Sequence, residues 1–228
     1  MFKRVFIQTL PVMAGYIVLG IGFGILLHVN GYGILYSFLM SLLIYAGSLQ
    51  YVGVSLIAGG ATVITALLTS LMVNARHLFY GISMIDRYKG AKWKKPYLIF
   101  SLTDETYSLL CNDNSPKEPE TFRYYTLISV LNHSYWILGS VLGSLIGSVI
   151  KFNTAGIEFS MTALFVTVFV EQWLQTKQHL PALLGIMITV LCLLIFGKES
   201  FLIPSMLLIT LALFILRPYL EKKEVPHD

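Results

Sequence analysis

Residues 61–84 read ATVITALLTSLMVNARHLFYGISM. The apolar run that reaches Tyr80 is long enough to cross a bilayer whose hydrocarbon core is about 30 Å thick. Yet Asn74-Ala75-Arg76-His77 places a guanidinium and an imidazole where a lipid-facing helix would carry leucines. Arginine near the centre of a spanning helix costs roughly 2.5–3.5 kcal/mol on insertion scales. Such a cost persists only where the group meets a partner, a wet cavity or a substrate. On a helix Asn74, His77 and Gly81 share one face, and Arg76 and Tyr80 another. The stretch predicts an all-α integral membrane protein and makes Asn74, Arg76 and His77 candidates for its chemistry.

Composition extends that class to the whole chain. Of 228 residues, 56% are hydrophobic and 12% charged, and the mean hydropathy is +0.72. Soluble domains carry about 25% charged residues, so half of the expected charge is missing. No stretch is long and polar enough for a soluble domain, and 1–228 reads as one transmembrane domain. The net charge of +4 does not imply nucleic acid, because Arg87, Lys89, Lys92, Lys94 and Lys95 crowd one loop, as the positive-inside rule expects. Cys111 and Cys192 have no metal-binding or CxxC spacing, and neither metal nor cofactor is expected. Lys3 and Arg4 precede an apolar run without a small-residue cleavage site, which predicts a retained first helix.

The first span, from about Thr9 to His28, carries Gly20, Gly22 and Gly24. Without a preceding strand these are packing glycines and not a dinucleotide loop. The next apolar stretch, Ile34 to Ala58, has Tyr45-Ala-Gly-Ser48-Leu-Gln50 in its middle. Either the helix breaks there and frees backbone groups for a ligand, or it continues with Ser48 and Gln50 bonded to neighbours. After Ala61–Met84 and the basic loop comes Tyr97–Cys111, short for a span, with Asp104-Glu105 at its centre; it is a short buried helix or a re-entrant segment. A polar loop (112–123) leads to Tyr124–Ile150, whose Gly139, Gly143 and Gly147 lie on one helix face and predict close packing. Asn132-His133 lie near its start. Apolar stretches Phe159–Leu174 (with Thr162), Pro181–Phe196 and Phe201–Leu216 follow, then a charged tail (217–228).

Lys222-Lys223 and Lys3-Arg4 on one side require eight crossings with Tyr97–Cys111 spanning, but the five basic residues of the loop outweigh Lys3 and Arg4 and favour seven, with Tyr97–Cys111 not spanning. An internal echo relates 1–96 to 122–217: a glycine-rich span, a mid-stretch Ser48 or Thr162, and a stretch closing at Gly81 or Gly197. Three helices apart, the halves would be inverted repeats, as in many secondary transporters with discontinuous helices.

The polar set at bilayer depth comprises Tyr45, Ser48, Gln50, Asn74, Arg76, His77, Asp104, Glu105, Asn132, His133 and Thr162. In a transporter Arg76 would hold a substrate carboxylate, Tyr45–Gln50 would supply amides and hydroxyls, and Asp104 or Glu105 would meet an ammonium or relay protons. Alternatively Arg76 pairs with Asp104 or Glu105 and locks the fold. His77 titrates near neutrality and suits a proton switch, or is a packing residue. An intramembrane enzyme would want a Gly-x-Ser and histidine pair, a Ser/Lys pair or HExxH, and none is present. An accessory subunit without its own site fits the Gly139–Gly147 face but not so many polar residues at depth.

Pro11…Gly20-x-Gly-Phe-Gly24, Tyr45-Ala-Gly-Ser48-x-Gln50, Asn74-x-Arg76-His77-x-x-Tyr80-Gly81, Asp104-Glu105-x-Tyr107 and Met161-Thr162-Ala-Leu-Phe-Val166 together resemble the AzlC family, large subunits of branched-chain amino acid exporters. The resemblance covers nearly the whole chain in the family's order. It implies a multi-pass protein of a bacterial plasma membrane that exports leucine, isoleucine, valine and methionine, is driven by proton movement, and works with a small hydrophobic AzlD-like subunit. It adds no enzymatic activity and no cofactor.

Overall fold

The structure is a computed structural model. It describes residues 1–111, 120–150 and 178–222, with Phe159, Thr162, Ala163, Val166, Phe169, Val170, Trp173 and Leu174 between them; at 75, 76, 78, 79, 198–200, 202, 203, 206 and 217–222 the backbone alone is described. The described residues are helical wherever they are regular. The chain divides into two compact units, Met1–Ala163 and Leu164–Asp228, a division elsewhere than between the halves of the internal echo.

In the first unit, α1 (Phe2–Val29), α2 (Ile34–Leu43), α3 (Gly47–Ala58), α4 (Val63–Val73), α5 (Ala75–Ser83), α6 (Lys95–Phe100), α7 (Asp104–Cys111) and α8 (Thr121–Val149) follow in order. Its axis is the pair α1 and α8. A Cβ on Gly20 would lie 2.9 Å from the Ser140 nitrogen, and one on Gly139 2.8 Å from the Tyr16 oxygen. Cβ atoms on Gly24 and Gly143 would run into the backbones at Ser140 and Ile21, and one on Gly147 would lie 3.1 Å from His28. Five glycines thus let two backbones touch, which is how membrane helices gain dispersion contacts without a hydrophobic drive. The pairs 16–139, 21–143 and 28–147 rise together, so α1 and α8 run parallel. That corrects the inverted-repeat expectation, since inverted equivalents would run opposed.

The segment 34–58 is broken at residues 44–46 and turns back on itself. Going in, Ser37 Oγ donates to the Ser140 carbonyl (2.8 Å) and the Ser41 carbonyl meets His133 Nε2 (3.1 Å). Coming back, Gln50 meets Trp136 (2.7 Å), and Tyr51 Oη donates to the Leu19 carbonyl (2.6 Å) beside Gly22. The arms face each other through Gln50 Nε2 and Ser41 Oγ (3.2 Å) and through Gly53 and Met40. Tyr45 at the tip has φ +43°, a left-handed conformation that costs a non-glycine residue about 1–3 kcal/mol.

From this hairpin α4 and α5, 11 and 9 residues long, cross the unit once with a break at Asn74. At 1.5 Å per residue they cover about 30 Å. Their far end joins the start of the chain: Met84 shares a core with Val5, Tyr88, Leu98, Leu110 and Tyr124. The segment 95–111 then forms a second hairpin with its turn at Ser101–Thr103. Lys94 and Arg123 border one cavity at the outer end of α6, and the carbonyl of Leu110, at the end of α7, accepts from Arg87 Nη1 (2.9 Å). Tyr97–Cys111 therefore enters and leaves at the end that carries Lys3, Arg4, Arg87, Lys89, Lys92, Lys94, Lys95 and Arg123.

One crossing followed by one hairpin thus occurs twice, in opposite senses. Three passes run between the two ends of this unit: α1, α4–α5 and α8. The expectation of seven or eight crossings counted Ile34–Ala58 as a span, and its return to the neutral end removes that crossing. It also removes the conflict in the charge pattern, because the N-terminus and the basic loop now lie two crossings apart on one side. The outer face of α4 exposes Val63 (85%), Ile64 (71%) and Leu67, as a lipid-facing surface does.

In the second unit α9 (Leu180–Ser200) and α10 (Leu202–Lys222) pack on each other, and Gly197 in α9 has φ +72°. Among the described residues two helices pass the test of length and apolarity for a span, Phe2–Val29 and Leu180–Gly197.

Candidate functional site

The two hairpin tips meet against the middle of α1 and α8. Each returning arm starts there, so the N-termini of α3 and α7 converge on one buried region. α7 is capped by Thr103, whose Oγ1 accepts from the Thr106 amide (3.3 Å), while its carbonyl accepts from the Tyr107 amide (2.8 Å). Asp104 and Glu105 occupy its first turn, where acidic side chains complement the free amides and the dipole. α3 begins after Ala46 without a side-chain cap, with Gly47 and Ser48 in its first turn. Free amides at a helix start form an anion site, and here two starts face one place from opposite ends of the unit.

Side chains of α1 and α8 close the region. Tyr16 Oη donates to Glu105 Oε2 (2.6 Å) and lies 2.6 Å from Thr103 Oγ1. Thr103 Oγ1 also meets Thr106 Oγ1 (3.0 Å), which accepts from Asn132 Nδ2 (3.0 Å). His133 Nε2 faces the Ser41 carbonyl, so this nitrogen donates and Nδ1 accepts from Tyr97 Oη (3.2 Å). One imidazole therefore ties both hairpins to α8. Trp136 Nε1 donates to Gln50 Oε1, and Tyr16 packs edge-on against Trp136 (5.5 Å). The Tyr45 ring lies 4.2 Å from His133 and 6.2 Å from Phe100 at the opposite tip. Tyr45 Oη is buried beside the hydroxyls of Tyr16 and Thr106, and Asn132 Oδ1 is buried without a hydrogen-bond partner among the described residues. A buried orphan of this kind costs about 1–3 kcal/mol.

Of the sequence-predicted residues, Tyr45, Ser48, Gln50, Asp104 and Glu105 belong to the two tips. Asn74 and His77 do not. They line a separate cavity of about 410 Å³ beside the break in α4–α5, with Leu67, Ser70 and Gly81. Ile99 and Leu102 from the second tip form its other wall. Asn74 Oδ1 is buried without a hydrogen-bond partner among the described residues, and the Asn74 carbonyl meets His77 Nδ1 (3.3 Å). Arg76 lies in the first turn of α5; its side chain is outside the described residues, and so is the expectation that it pairs with Asp104 or Glu105. Glu105 takes its bond from Tyr16. Thr162 is exposed, apart from the buried network.

Sequence reasoning missed Tyr16, Ser41, Tyr97, Thr103, Thr106 and Trp136 as site residues. Thr103-Asp-Glu-Thr106 is a helix-start signature ahead of two acids and carried a readable signal. Tyr16 and Trp136 had none, because only the α1–α8 register brings them to the tips.

A family model described as AzlC protein matches residues 11–150, a stretch that contains both hairpins and the whole network. A branched-chain amino acid transport protein AzlC of Bacillus subtilis is 44% identical over 98% of this chain and 88% of its own. A membrane protein of Helicobacter pylori is 46% identical over 96% of each chain. The inner membrane protein YgaZ of Escherichia coli is 30% identical over 76% of this chain and 73% of its own. No solved structure matches.

Proposed function

The chain belongs to the AzlC family, and we propose that it is a secondary transporter that carries branched-chain amino acids out across the plasma membrane. It is a membrane protein of a transport family. The observation that carries the proposal is the meeting of two half-helix starts from opposite ends on a buried Tyr16–Glu105–Thr103 cluster. A zwitterion has one group for each part. Its carboxylate suits the uncapped amides at the start of α3, its ammonium suits Glu105 at the start of α7, and an aliphatic side chain suits Phe23, Trp136 and Tyr45. Phe23 stacks on Trp136 at 6.3 Å, an apolar aromatic pair beside the tips.

Glu105 also serves proton coupling, because a carboxyl that meets the ammonium in one state must shed or exchange it in the other. Proton-driven efflux, leucine, isoleucine, valine and methionine as cargo, and a small AzlD-like hydrophobic subunit come from the family resemblance. Arg76 as a carboxylate contact comes from its charge at bilayer depth in the sequence. An accessory subunit without a substrate site would have no use for a polar network of Tyr16, Thr103, Glu105 and Asn132 between two helix starts.

The basic end belongs in the cytoplasm by the positive-inside rule.

The test is export from cells loaded with branched-chain dipeptides. Glu105→Gln is expected to reach the membrane at normal abundance and to lose at least about tenfold in export, the equivalent of 1.4 kcal/mol of one lost interaction. Arg76→Gln tested beside it asks whether the guanidinium contacts cargo. Normal export by Glu105→Gln refutes the assignment of the site, and normal export by Arg76→Gln removes that residue from it.

A further inference from the structure

At the basic end a cavity of about 280 Å³ opens between the first turn of α1, the short turn Lys92–Lys94 and the start of α8. Lys94, Arg123, Thr126, Leu127 and Val130 line it together with Met1 and Phe2 at the start of α1, and none of these is acidic. Arg123, Thr126, Leu127 and Val130 stand at i, i+3, i+4 and i+7, one stripe of α8. The stripe is cationic at the end of the unit and apolar further in. Phe2 (61% exposed) and Val130 (42% exposed) leave the apolar part open. Lys94 Nζ sits 5.8 Å from the ring centroid of Trp93, which is itself 82% exposed. A tryptophan so placed marks the depth of the headgroups.

A soluble anion would gain from the two cations and nothing from the stripe; a hydrocarbon would gain from the stripe and nothing from the cations. One ligand matches both. We infer that this cavity is a binding site for an anionic phospholipid, with the phosphate between Lys94 and Arg123 and one acyl chain along Leu127, Val130 and Phe2. The site lies apart from the hairpin tips, so its occupancy and substrate transport are separate questions. Basic pockets between helices at a cytoplasmic face recognise such headgroups through charge, each cation adding a similar increment.

The experiment is native mass spectrometry of the purified full chain titrated with phosphatidylglycerol and, in parallel, phosphatidylcholine. Wild type is expected to prefer phosphatidylglycerol. Lys94→Gln with Arg123→Gln weakens that binding by roughly thirtyfold, as the loss of two near-surface cations should, while Lys89→Gln, at an exposed pair with Asp86, leaves it unchanged. Val130→Trp, which blocks the stripe and keeps both cations, also weakens it, and it carries the test if the double variant does not fold. Equal binding of both lipids, unchanged binding by the variants, or displacement of the lipid by millimolar inorganic phosphate overturns the proposal; the last outcome assigns the cavity to a free anion.

Discussion

Replacing Gln50 by leucine strands a donor that the first hairpin depends on. Gln50 is fully buried and bridges three elements, accepting from Trp136 Nε1 of α8 (2.7 Å) and donating to Ser41 Oγ of α2 (3.2 Å). Leucine fills similar space, so packing is nearly kept, but the indole N–H is left with no acceptor and no water. An unsatisfied buried donor costs about 1–3 kcal/mol, and the second hydrogen bond adds about 0.5–1.5 kcal/mol. The expected loss is therefore about 2–4 kcal/mol, or roughly 4–14 °C in unfolding midpoint for a chain of this size. Trp136→Phe removes the donor itself. In the double variant the stranded N–H no longer exists, so the combined loss should fall short of the sum by about 1–3 kcal/mol, within the coupling seen between contacting residues. Thermal unfolding of the four proteins in lipid nanodiscs reads the cycle. Additive losses, or a Gln50→Leu midpoint equal to wild type, would refute the account of how the hairpin is held.

Four further outcomes follow from the same geometry. Tyr16→Phe keeps the edge-on contact with Trp136 but removes the donor to Glu105 and Thr103, so the protein should accumulate normally while export falls; a bond to a carboxylate is worth about 1.5–3 kcal/mol, and unchanged transport in dipeptide-loaded cells counts against the site. Gly143→Leu drives a side chain into the backbone at Ile21 and should cost about 3 kcal/mol or more by overpacking, seen as loss of the monodisperse peak in size-exclusion chromatography. Gly15→Ala, where a Cβ meets nothing within 4 Å, should run as wild type. Tyr45→Gly relieves about 1–3 kcal/mol of left-handed backbone strain but removes the buried ring between His133 and Phe100, a loss of about 3–5 kcal/mol; the unfolding midpoint should fall by less than ring truncation alone would cause, and export should be lost.

The membrane class was legible because charge is scarce everywhere and apolar runs recur. The glycine rows at 20–24 and 139–147 were legible as places of close approach, and in the structure they meet each other. The break at Tyr45 was legible as one of two alternatives from Gly47 and Ser48. Direction was not. Two apolar arms of 10 and 12 residues sum to the length of one span, and hydropathy cannot distinguish a helix that continues from one that turns back. The charge pattern held the correction, since Lys3, Arg4 and the loop Arg87–Lys95 all prefer one side, but it could be used only once a crossing was given up. For the same reason Asn74 and His77, prominent in a linear reading, stand in a side cavity, while Tyr16 and Trp136, ordinary aromatics in sequence, stand at the centre. Their role is created by the parallel register of α1 and α8.

The most direct test of the opposed hairpins is the sidedness of the two turns that flank the first one. Gly33 and Ala61 are exposed at either end of Ile34–Ala58, and Gly33 has an ordinary φ of −78° with open space around it. In a chain whose Cys111 and Cys192 are replaced by serine, Gly33→Cys, Ala61→Cys and Lys89→Cys would each be treated with a membrane-impermeant maleimide on intact cells and again after lysis. The hairpin predicts that Cys at 33 and at 61 label on intact cells alike and that Cys at 89 labels only after lysis. Labelling of 33 and 61 from opposite sides would make Ile34–Ala58 a crossing and would contradict the fold on which the site is built.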